Sequence, residues 1–77
     1  MEIKVLGTGC AKCKALEKLT REVVDDMKID ATVTKVEEIT EIMKFGVMVT
    51  PALVVDGKVV LKGRLPAASE IRQLLTV

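Results

Sequence analysis

The sequence predicts an α/β fold with elements in the order β-α-β-α-β-β-α and a mixed four-stranded sheet covered by helices on both faces. Three features of the 77-residue chain carry that prediction. A short alternating strand is followed by a long stripe of apolar residues at helical spacing. An Asp-Gly step divides two apolar runs near the middle of the second half. Beyond it, a proline opens a second helical stripe. The chain is long enough for one small core and no more.

Met1–Leu6 alternates, with Ile3 and Val5 on one face and Glu2, Lys4 and Leu6 on the other, which predicts a strand over 2–6. Gly7, Thr8 and Gly9 break it. From Ala11 to Lys28, Leu16, Leu19, Val23 and Met27 recur at steps of three and four, and Val24 widens the stripe. Glu17–Arg21 and Lys18–Glu22 add i,i+4 pairs on that helix. Ala31–Val36 returns to β-branched alternation, and Ile39, Ile42 and Met43 predict a short helix over about 37–45 that ends near Gly46. Ala52–Val55, Asp56-Gly57 and Lys58–Leu61 read as a hairpin, because both central residues of its turn need φ > 0. Pro66 is expected to start the last helix, with Ile71, Leu74 and Leu75 inward. A long helix between the first two strands is a crossover, so those strands are expected to be parallel. The hairpin adds an antiparallel pair, its apolar strands fit a sheet buried on both faces, and Lys58 and Lys62 suit an outer edge.

Composition removes several function classes. The chain is 49% hydrophobic and 30% charged, with 12 basic and 11 acidic residues for a net charge of +1. That balance lacks the basic excess of a general nucleic-acid binder. There is no histidine, so an imidazole base and a Cys–His dyad are excluded, and a single aromatic residue leaves no stacking platform for single strands. The longest apolar run, about Pro51–Val55, is far below the roughly 20 residues needed to span a bilayer. No apolar signal-peptide segment follows Met1–Lys4. Two cysteines are too few for the disulfide lattice of a secreted domain. The expectation is a cytoplasmic monomer without nucleic-acid or membrane partners.

The two cysteines, Cys10 and Cys13, stand where the first strand hands over to the first helix. A three-residue step on a helix brings Cβ atoms to about 5–6 Å, within reach of a disulfide that closes with small motion. Closing so small a loop contributes only about 2 kcal/mol of chain entropy, so stapling is a poor reason for the bond. Cys10 lies at the helix start, where unpaired N–H groups and the macrodipole favour a thiolate. Cys13 lies one turn further in. That assigns attack to Cys10 and resolution to Cys13. Lys12, Lys14 and Lys18 crowd the start of this helix and Asp25 and Asp26 its end, the reverse of what helix stability favours. Two accounts stand side by side: a solvated charged face, or tuning of Cys10 by Lys12 and Lys14. The cysteines themselves have two plainer alternatives, a pair of small core residues or half of a thiolate metal site completed by another chain.

Thr50-Pro51 precedes the third strand, where proline is acceptable. From the residues alone it is a loop proline or a cis bond. Phe45, Val47, Met48 and Val49 lead into it, either as core or with Val47 or Met48 exposed beside Cys10 as a contact for partner proteins. Arg64, after the last strand, is either a solvated charge or an anion holder at the site rim.

Together, Gly7-Thr8-Gly9-Cys10-Ala11-Lys12-Cys13, Thr50-Pro51, Val55-Asp56-Gly57 and Gly63-Arg64 resemble the very small prokaryotic thioredoxin-like proteins, also described as redox-active disulfide proteins. The resemblance spans 1–77 as a single domain. It implies a minimal thioredoxin fold with sheet order 2-1-3-4, the first and third helices on one face and the second on the other. It also implies a cis Thr50–Pro51 bond against the disulfide, with Thr50 and Pro51 binding an extended substrate. Gly9 replaces the tryptophan that precedes the first cysteine in ordinary thioredoxins, and Ala11-Lys12 stands where a proline is usual. The Pro-Tyr and the acidic pair of glutaredoxins are absent, which points to protein disulfides rather than glutathione. The implied function is a thiol–disulfide oxidoreductase needing no metal or organic cofactor, with protein disulfide substrates and a protein reductase as partners. The alternative is a soft-metal carrier holding Cu(I) on the same two thiolates. Such carriers usually run β-α-β-β-α-β and have a methionine where Thr8 stands.

Overall fold

The computed structural model describes residues 1–9 and 11–75. Seven elements follow in the expected order: β1 (Glu2–Leu6), α1 (Ala11–Met27), β2 (Thr32–Val36), α2 (Ile39–Lys44), β3 (Ala52–Val55), β4 (Lys58–Lys62) and α3 (Ala68–Leu75). The sheet order is β2-β1-β3-β4. β1 pairs parallel with β2, Ile3 opposite Val33, and antiparallel with β3, Val5 opposite Leu53. β3 and β4 form the antiparallel hairpin.

Strand alternation divides the core in two. Ile3, Val5, Leu53 and Val55 face α1 and α3, where Leu16, Val23, Ile71 and Leu75 close over them. Leu6, Ala52 and Val54 face the other way and pack with Ile42 of α2 and Val47. β3 is buried at all four positions, as a strand covered on both faces must be. Lys4 points to the α2 side and lies across the Phe45 ring, its Nζ 5.3 Å from the centroid, while reaching Glu2 at 3.2 Å. Between Leu53 and Val54 the pairing shifts, from Leu61 to Val59, leaving Val60 as the extra residue of a bulge in β4.

The turn residues behave as the sequence indicates. Asp56 and Gly57 have φ of 49° and 84°. Asp56 also ties the hairpin tip to β1: its N–H donates to Glu2 O at 2.7 Å, and its Oδ1 accepts from Glu2 N–H at 2.8 Å. Among the i,i+4 pairs, Arg21 donates to Glu17 at 3.1 Å. Within α1, Thr20 is buried and its hydroxyl donates to Leu16 O at 2.7 Å, so it fits the apolar stripe without an unpaired polar atom.

Element ends differ from expectation in four places. α1 ends at Met27 because Lys28 turns left-handed, φ 54°. β2 begins at Thr32, with Ala31 packing against the core just before it. α2 is shorter than 37–45, since Glu38 is extended and acts as the N-cap, its carbonyl accepting from Ile42 N–H at 2.9 Å. Pro66 does not start α3. Ala67 O accepts from Glu70 and Ile71 N–H at 3.1 and 3.2 Å, which makes Ala67 the cap and leaves the buried Pro66 outside the helix.

Arg64 is neither a lone solvated charge nor turned to an external anion. It donates to both oxygens of Glu70 in the first turn of α3, through Nη1 at 2.8 Å and through Nη2. These hydrogen bonds hold the Glu70 carboxyl below its ordinary value and raise the Arg64 guanidinium. A depressed carboxylate contributes stability in full above its unfolded pKa and loses it as pH falls through the lower folded value. Side-chain NMR titration of R64Q should therefore move the Glu70 midpoint upward, toward an ordinary glutamate. With the pair gone, the stability it contributes above the unfolded carboxylate pKa should be lost as well.

Candidate active site at the turn between the first strand and the first helix

The parallel pairing of β1 runs one residue past the strand, Gly7 N–H donating to Val36 O at 2.9 Å. Thr8 and Gly9 then turn the chain, Gly9 with φ of 93°, and α1 begins at Ala11. Cys10 stands in the chain between Gly9 and the first residue of α1 and lies outside the described residues. Cys13 sits in the first turn of α1 with 3% of its surface exposed.

Gly7 makes that placement possible. It is buried and its φ lies outside the left-handed region, so the backbone does not require glycine there. Space does. A Cβ on Gly7 would fall 2.7 Å from Cys13 Cβ and closer still to Sγ. The missing side chain is what lets the first turn of α1 seat Cys13 against the end of β1.

Lys12 and Lys14 are exposed on the first turns of α1 and make no ion pair among the described residues, and no acidic residue stands in the first turn. A second charged group flanks the turn. Lys35 of β2 reaches Glu37 at 3.5 Å and Glu17 at 3.9 Å, and Glu37 Oε2 lies 3.4 Å from where a Cβ on Gly9 would be. Sequence reasoning missed this group. The only signal was a lysine interrupting the apolar alternation of β2.

Across from the turn, the Thr50–Pro51 peptide bond is cis, Pro51 is buried and Thr50 half-buried. The segment is held from behind. Pro51 O accepts from Gly63 N–H at 2.8 Å, and Gly63 has φ of 80°. Val49 Cγ2 lies 3.3 Å from the place a Gly63 Cβ would take. Between Thr8 and Thr50 opens a groove of about 250 Å3, its wall formed by Ile39, Met43, Val47 and Met48. Of the apolar run before Pro51, Val47 is core and Met48 projects to solvent. Thus Thr8, two residues before Cys10 in the chain, shares one surface with Thr50 and Met48, while Arg64 is committed to α3.

Comparison with known proteins identifies the family. The Thioredoxin domain family matches residues 1–76. A thioredoxin of Methanothermobacter thermautotrophicus is 41% identical over 76 residues, covering 99% of each chain. A thioredoxin of Methanocaldococcus jannaschii is 36% identical over 73 residues, covering 95% of this chain and 84% of the relative. The chain belongs to the thioredoxin domain family. Family membership makes it a thiol–disulfide oxidoreductase, and the fold expected from the resemblance, including the sheet order, is the one observed. Among the described residues, no helix is long and apolar enough to cross a membrane.

The Gly7–Cys13 contact yields a stability prediction. Replacing glycine by alanine at an ordinary φ usually stabilises by about 0.4–1 kcal/mol through the unfolded chain. Overpacking a closed site costs about 1–3 kcal/mol. At Gly7 the second effect should win, so G7A should lower unfolding stability in denaturant titration by roughly 1–2 kcal/mol. In a C13A background the loss should shrink, because the nearest atom is gone. Equal losses in both backgrounds would mean that the sulfur is not the atom that matters, leaving the Cβ of residue 13, 2.7 Å away, or the backbone as the cause.

Proposed function

We propose that this protein reduces disulfides in other proteins through Cys10 and Cys13, working in the cytoplasm with a protein reductase to reset it. The observation that carries the reading is the burial of Cys13 in the first turn of α1, three residues after Cys10 in the chain. A thiol pair at a helix start whose second member is buried suits a two-step exchange.

In the first step the Cys10 thiolate attacks one sulfur of a substrate disulfide. The substrate S–S bond breaks, a mixed disulfide forms, and the leaving thiolate takes a proton from solvent. In the second step Cys13 gives up its proton and attacks Cys10 sulfur. The mixed disulfide breaks, the second substrate thiolate leaves, and a Cys10–Cys13 disulfide remains. The substrate gains two electrons and the dithiol loses two. A dithiol reductase reverses the last bond. Free N–H groups at the helix start favour the Cys10 thiolate, and the exposed Lys12 and Lys14 add to that field. Buried Cys13 is kept from solvent thiols until the mixed disulfide presents a sulfur to it.

Thr50 and Pro51 serve as the backbone rail for an extended substrate segment, and the groove beside them receives its side chains. At about 250 Å3 the groove is smaller than the roughly 300–1,000 Å3 of typical small-molecule sites. Its aliphatic wall and the neighbouring exposed Glu37, Glu38 and Glu41 suit an apolar side chain of a protein better than an anionic peptide thiol. The placement of α2 between β2 and β3 also departs from the element order usual in small soft-metal carriers.

The C13S variant tests the two-step route. It should still attack but not resolve, so mixed disulfides with a protein substrate should accumulate on nonreducing gels and turnover should fall by at least about a hundredfold, the range of a lost covalent partner. Turnover equal to the parent's would refute a two-cysteine mechanism.

A further inference from the structure

We infer that Met43 and Met48 form a paired sulfoxidation site whose oxidation by hydroperoxides blocks substrate docking. The inference rests on the reading of the adjacent groove as the surface that receives protein substrates. Of the four methionines, Met27 packs against the core, and Met1, itself exposed, precedes β1 and lines no part of the groove. Met43 and Met48 are 62% and 92% exposed, and both line the same groove with Ile39, Val47, Thr8 and Thr50. Met43 stands four residues after Ile39 on α2, so the two share a helix face. Met48 follows core residue Val47 in the loop before β3 and projects to solvent.

The chemistry of the thioether makes this placement consequential. A hydroperoxide transfers one oxygen to sulfur: the O–O bond breaks, an S=O bond forms, sulfur loses two electrons, and the peroxide leaves as alcohol or water. The product is polar and hydrated at these exposed positions, so an apolar side chain docked against it strips water from the S=O group without offering a donor. An apolar substrate side chain would then meet two sulfoxides in place of two flexible thioethers. The same oxidant converts the dithiol to a disulfide, which a dithiol reductase reverses. Dithiol exchange leaves the sulfoxides in place, because they contain no S–S bond; their reversal requires the sulfoxide-reductase class of enzyme. The pair therefore acts as a brake that outlasts recovery of the dithiol.

The test uses the full chain in its Cys10–Cys13 disulfide form, treated with hydrogen peroxide, quenched, reduced with dithiothreitol and assayed on insulin disulfides. Peptide mass mapping should find one added oxygen on Met43 and on Met48 well before Met27. The insulin rate should fall about fivefold or more, on the order of one lost apolar side-chain contact. In the M43L/M48L variant, each sample serving as its own untreated reference, the rate after peroxide should stay within about 20% of the rate before it, since leucine is a near-isosteric replacement without a thioether. An unchanged parental rate with both methionines oxidised would overturn the inference, as would slower oxidation of these two than of Met27. An equal peroxide loss in the leucine variant would do the same. If untreated protein failed to reduce insulin at all, the proposed function would fall first and the brake with it.

Discussion

The close approach of Gly7 to Cys13 is the constraint on which the rest of the site depends. β1 is the central strand that carries both neighbours, parallel β2 and antiparallel β3. α1 leaves its end after only a short turn. With no side chain at Gly7, the first turn of the helix lies directly on the strand end, Cys13 is buried there, and Gly9 supplies the left-handed φ that completes the turn. A bulkier residue at Gly7 would push α1 outward, and with it Leu16 and Val23, which close the core on that face. Burial of the second thiol and packing of the main helix are thus one steric fact.

The opposite wall is built by separate means. The hairpin is fixed to β1 at its tip through the two Asp56 bonds with Glu2, and the start of β3 is fixed through Pro51 O and Gly63. Between those anchors β3 is wholly buried, so the Thr50–Pro51 segment has a rigid base. α2 lies on the far face of the sheet and contributes only Ile42 to the core, which leaves Ile39 and Met43 to line the groove. A short helix with one core contact is a small investment in stability, and its outer face is available for recognition.

Much of this was legible in the sequence because it is local. The stripe Leu16, Leu19, Val23, Met27 is a statement of period, and Asp56-Gly57 is a statement of φ; both were realised as read. The element order and the strand–helix site of the Cys10–Cys13 motif follow from such signals. What escaped reading depends on contacts between distant residues. Gly7 looked like a strand breaker, and only the folded chain shows that it faces Cys13. By pattern Glu37 reads as the start of the second helix and Lys35 as a strand residue, and only parallel pairing of β1 with β2 carries Glu37 to Gly9, with Lys35 beside it. Arg64 found Glu70 across a bend whose geometry no pattern specifies. The early start assigned to α3 failed because proline suits both a first helical turn and the position before the cap.

The proposed division of labour between the two cysteines is tested most directly by their competition for brief alkylation. The reduced protein, exposed to limiting iodoacetamide at neutral pH and mapped by peptide mass analysis, should carry the label on Cys10, with Cys13 labelled at least about tenfold more slowly, as the contrast between a helix-start thiolate and a buried thiol requires. Predominant labelling of Cys13 would contradict the account.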